Sequence, residues 1–138
     1  MANEKLVQSI KAIVALAKDG DMDGVYRGYR DLFADAAFVA YRPEDQRQAL
    51  RLMVMAKGAP EPPTPAMVEA HRAAITPLRQ IVEVHREPKD HELLGLCHVV
   101  AGDEAAAMSI FKAGLTLERE RNPQSDLCGV LMKRVSML

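Results

Sequence analysis

The chain has 138 residues, of which 49% are hydrophobic and 27% charged, with a formal net charge of -1. That is one domain's worth of sequence, long enough to bury a core without disulfide or metal staples. The near-neutral balance excludes a whole-molecule field that would gather nucleic acid or an anionic membrane, and no segment approaches the roughly 18 consecutive apolar residues of a membrane span.

Met1 to Lys11 alternates charge and apolarity, unlike the apolar run of a secretory signal, so the expected compartment is the cytoplasm. Helical periodicity dominates the chain. A first helix is expected from about Asn3 to Lys18, with Leu6, Ile10, Ile13, Val14 and Ala17 forming one broad stripe. Gly20 ends it, and Asp21 or Asp23 caps a second helix that reaches about Phe38. Arg42-Pro43-Glu44 opens a third, which ends before Gly58.

The run Ala59-Pro60-Glu61-Pro62-Pro63 cannot be helical and reads as a rigid connector. Thr64-Pro65 starts a fourth helix that continues towards Arg86, with a kink or break expected at Pro77. Pro88 opens a fifth helix to Ala101. Asp103 caps a sixth, which Asn122-Pro123 ends, and a seventh covers about Ser125 to Met137. Seven helices with mostly short turns make an all-α single domain over residues 1–138 in which sequential neighbours pack antiparallel. Gly20, Gly58 and Gly102 fall at the first turn of three successive helix pairs.

The third of these pairs carries a recognisable spacing. It reads His91-x2-Leu94-Gly95-x2-His98, then Gly102-Asp103, then Ala107-x3-Phe111. This resembles one tetratricopeptide repeat, a helix–turn–helix unit with Leu-Gly, a small residue and an aromatic at fixed offsets. The first pair resembles it loosely, with Gly20, Val25 and Tyr29 in the corresponding positions. The middle pair keeps Leu50 and Gly58 but has Arg51 where glycine is favoured. The glycines are spaced wider than the family's period of about 34 residues. The resemblance implies stacked antiparallel helix pairs, a right-handed solenoid of about three hairpins with a C-terminal capping helix. A compact helical bundle is the alternative.

Chemistry is hard to place on these residues. His91 and His98 lie about 10 Å apart by helical rise, and there is no Cys-x2-Cys or His-x3-His, so no metal is expected. Cys97 and His98 are consecutive and point about 100° apart, which prevents a direct thiolate–imidazole pair. Phosphate-binding glycine loops and serine elbow motifs are absent. The chain is therefore expected to be neither an enzyme nor a cofactor protein. Cys97 and Cys128 read as buried thiols, and whether they pair stays open, because spacing says nothing about distance.

Function is then expected to reside in apolar surface. In tetratricopeptide proteins the first helix of each pair lines a groove. Carried onto this chain, the resemblance implies a partner-binding groove formed by Lys89, Glu92, Leu96 and Val99 of the third unit, with Val7, Ile10, Val14 and Ala17 of the first. The expected role is an adaptor or scaffold that binds a peptide or helix segment of another protein in that groove. Two alternatives remain open: a homodimeric structural or sensory protein associating through its first or last helix, and a small-molecule-binding protein with a pocket near His91 and His98. Nucleic acid and membrane are not expected partners, because the small basic groups Arg119, Arg121, Lys133 and Arg134 lack an aromatic platform.

Overall fold

The computed structural model of the chain describes residues 3–138, so the first two residues of the Met1–Lys11 segment lie outside the described part. Among the described residues there are seven α-helices, one 3-10 turn and no strand: α1 (Glu4–Lys18), α2 (Met22–Ala34), the turn Phe38–Ala40, α3 (Pro43–Val54), α4 (Pro65–His85), α5 (Pro88–Val100), α6 (Glu104–Arg121) and α7 (Asp126–Ser136). None of these helices is long and apolar enough to cross a membrane.

Local chemistry sets most of the boundaries. Pro43, Pro65 and Pro88 each stand in a first helical turn, where a missing N–H is no loss. Thr64 accepts a hydrogen bond from the Met67 N–H, and Ser125 accepts one from the Cys128 N–H. The elbows between α1 and α2 and between α5 and α6 are built alike. Gly20 (φ 77) and Gly102 (φ 87) take the left-handed conformation that a side chain resists. The Asp21 N–H donates to the Leu16 carbonyl, and the Asp103 N–H to the His98 carbonyl, closing a Schellman motif in each case. The same two aspartates then accept from the Gly24 and Ala106 N–H groups, so one residue ends a helix and starts the next.

Three expectations need correction. The second helix stops at Ala34 rather than Phe38. Asp35 turns extended, and its carboxylate accepts from the Ala37 N–H at 2.9 Å, an Asx turn that competes with further helix. Phe38 then drops into the core, edge-on to both Phe33 and Tyr41. Pro77 does not split α4, which runs unbroken through it. The proline ring is fully buried there, and that burial offsets the hydrogen bond it cannot make.

The middle pair is not a tight hairpin. Gly58 (φ 75) lies within the connector that follows α3, and α3 rests chiefly on α5, touching α4 only lightly. In its place α4 packs along α2. Tyr26 sits against His71 and Arg30 pairs with Glu69 at 3.1 Å. These contacts advance along α2 as they retreat along α4, as antiparallel neighbours do.

One core joins α1 to α5 through residues such as Tyr26, Phe38, Leu50, Leu78 and Leu93. A smaller one, comprising Ala107, Phe111, Leu115, Cys128 and Leu131, lies where α7 closes over α6. Within the third pair Gly95 is required by packing, because a Cβ there would overlap the Phe111 ring. Helix α5 is central and buried on most sides, whereas α1 is peripheral, with only Leu6 and Ile13 buried.

Candidate functional site

Helix α3 is held from one side, and that leaves its other flank open. The Arg47 guanidinium forks onto the Asp90 carboxylate of α5 with three contacts of 2.9–3.0 Å. The neighbouring Gln46 side chain donates to the Tyr41 carbonyl at 2.7 Å and the Val39 carbonyl at 3.3 Å, fixing the start of α3 to the 3-10 turn. With that face committed, Asp45, Gln48, Ala49 and Leu52, at i, i+3, i+4 and i+7, look across to α1. Helix α1 turns Leu6 and Ile13 inward and presents Val7 and Ile10 sideways.

The result is a groove of about 220 Å³ between α1 and α3. Its floor is Leu6, Ile10 and Ala49. Its lips are Val7, 43% exposed, and Leu52, 48% exposed. Asn3, Lys11, Asp45 and Gln48 complete the rim, with an amine on the α1 side and a carboxylate on the α3 side. Small-molecule sites are usually larger and more enclosed, about 300–1,000 Å³. An open, apolar slot between two helices suits the side chains of a third.

The residues expected to line one groove separate into two places. Val7 and Ile10 line the α1–α3 slot, and Val14 is exposed further along α1, outside it. Glu92 is buried, its carboxylate 3.1 Å from the Arg134 guanidinium of α7. Leu96 packs against the small core beneath α7, while Lys89 and Val99 stay exposed on α5. The capping helix therefore covers the middle of the α5 face. The α3 flank was missed by sequence reasoning. Its one legible signal was Leu52, an apolar residue off the stripe set by Leu50 and Met53.

The titratable groups of the core are packed against protein. The Cys97 thiol, fully buried, is pushed up to about 12 by desolvation and stays protonated. Cys97 and Cys128 are both free, one in each core. The Nδ1–H of His91 donates to the Glu87 carbonyl, and that of His71 to the Met67 carbonyl, each at 2.8 Å. No group of three or more potential metal ligands converges among the described residues.

Burial lowers the pKa of His71, partly opposed by its hydrogen bond to Met67, and burial likewise lowers that of His98. The unfolded chain therefore binds protons near pH 6.5 that the folded chain refuses. Stability is expected to be complete above that pH and to fall as the pH drops below it towards the depressed folded values. Thermal unfolding at about pH 7.5 and about pH 5.5 measures the slope, and His71→Phe should flatten it. An unchanged slope would assign the effect elsewhere.

Comparison with known proteins finds no family model, no curated protein and no solved structure that matches this chain.

Proposed function

We propose that the protein is a non-enzymatic interaction module that receives an amphipathic helix of a partner protein in the slot between α1 and α3. The observation that carries this reading is the pair of exposed apolar lips, Val7 and Leu52, standing over an apolar floor. Each side chain is already about half buried, so the exposure that remains forgoes burial worth about 0.7–1.5 kcal/mol for each. A docked helix recovers it, with anchors at i, i+3 or i+4 and i+7. Lys11 on the α1 rim offers a charge to a partner helix, whereas Asp45 on the α3 rim already lies 3.6 Å from the Arg42 guanidinium.

The scaffold in this reading is tetratricopeptide-like at its two ends. The α1–α2 and α5–α6 hairpins share one elbow construction, and the third pair carries the Leu94-Gly95, Ala107 and Phe111 spacing. Its middle is modified by the displaced α3, and that displacement forms the slot.

Leu52→Glu should abolish partner retention in affinity capture from the native cell extract and leave the melting temperature within about 2 °C, since the side chain is half exposed. A photo-crosslinker at position 52 should map to an apolar helical segment of the retained protein. Equal retention by Leu52→Glu sinks this reading. A ligand-binding role draws on a separate feature, an open depression of about 500 Å³ lined by His91, Arg86, Glu83 and Leu117. A small molecule co-purifying in native mass spectrometry would favour it.

A further inference from the structure

Helix α7 puts Cys128 and Leu131 onto α6 and is tied to α5 by the Arg134–Glu92 pair. Its outer face is another matter. Val130 is 38% exposed and Met137 69%. Gly129, the fourth residue of the helix, has nothing within 4 Å of the place a Cβ would occupy. Every other helical glycine has an internal reason. The Asp21 carboxylate crowds Gly24, Ile13 crowds Gly28, Phe111 crowds Gly95 and His91 crowds Gly114. Gly129 alone has none, although alanine would be a better helix former at no steric cost to the chain.

The charges on the same face supply the occupant. Asp126, Gly129, Val130, Lys133 and Met137 fall at i, i+3, i+4, i+7 and i+11, a single exposed stripe. Among the described residues neither the Asp126 carboxylate nor the Lys133 amine has an ion-pair partner. Laid antiparallel on itself about a point between positions 129 and 130, the stripe from Asp126 to Lys133 is self-complementary, while Met137 falls opposite position 122, outside α7. Each Asp126 then faces the Lys133 of the other copy, and each Val130 faces the hollow at the other copy's Gly129. A parallel arrangement would place like charges together.

We propose that α7 is a self-association helix through which two copies of this chain form a symmetric antiparallel dimer. An isologous contact of this kind closes at two copies. A single pair of three-turn helices buries less than a standard interface, so the dimer is a weak one. The proposal does not rest on the α1–α3 slot. Together they would make the assembly bivalent, raising avidity for a partner that presents two helices.

Sedimentation equilibrium of the full chain tests it. The weight-average mass should rise from the 15.2 kDa monomer towards twice that value with concentration, with an apparent Kd on the order of 100 μM. Asp126→Lys and Lys133→Asp should each weaken association about tenfold or more, since each creates two like-charge contacts. An equimolar mixture of the two variants should recover the affinity of the original chain, because both charge pairs re-form between unlike partners. Both side chains are exposed, and circular dichroism verifies that each variant is folded. The proposal is overturned by an original chain that stays monomeric to about 1 mM, by single variants that dimerise as well as it does, or by a mixture that gains nothing.

Discussion

Phe111→Ala is expected to lower the unfolding free energy by about 3–5 kcal/mol, measured by urea titration. The ring is buried against Gly95 on one side and belongs to the small core that α7 covers on the other. Its removal therefore costs packing at two helix contacts at once. For a chain of this length the whole stability is about 7–20 kcal/mol, so the loss is a large share of the total. The converse change tests the same contact. Gly95→Ala should cost about 1–3 kcal/mol, because the added Cβ would overlap the ring and α5 and α6 must separate. Combined with Phe111→Ala it should cost much less, the methyl entering space the ring has left. Additive losses in the double variant would show that the two residues do not share a contact.

Arg47→Met should destabilise the chain by about 3 kcal/mol and loosen α3 more than any other helix. Asp90 is only 2% exposed and would lose the guanidinium that pairs with it. Its place in the first turn of α5 leaves some compensation from the helix dipole, which sets the estimate at the low end. Replacing both members, Arg47→Met with Asp90→Leu, should return stability to within about 1 kcal/mol of the original. If the slot receives a partner helix as proposed, function should respond too, because this pair ties α3 to α5. Arg47→Met should weaken partner binding although Val7 and Leu52 are untouched. Hydrogen exchange confined to α3 would report the loosening, and binding that survives it would separate the slot from the ion pair.

Much of the helix pattern was legible in the sequence, and particular residues show why. Pro43, Pro65 and Pro88 mark first turns, and Gly20-Asp21 and Gly102-Asp103 end one helix and cap the next. All of these act on backbone groups only a few positions away. The Leu94-Gly95 and Ala107-x3-Phe111 spacing also pointed to a close helix crossing, and Gly95 meets the Phe111 ring there. The slot was less accessible. Val7 and Ile10 were read as groove residues from the resemblance, but Glu92 and Leu96 were placed with them and lie instead beneath α7. An exposed glutamate and one paired with Arg134, 42 positions away, look identical in a helical pattern.

By itself the sequence determined an all-helical chain, the start of nearly every helix and two of its three elbows, because those features depend on hydrogen bonds and dihedral preferences within about a turn of the residue concerned. The tertiary structure decided which helices are neighbours. It set α4 along α2, moved α3 aside onto α5, and opened the slot between α3 and α1. Those outcomes depend on contacts such as Arg47 with Asp90 and Arg30 with Glu69, whose partners lie 43 and 39 positions apart. No local propensity carries information over that range.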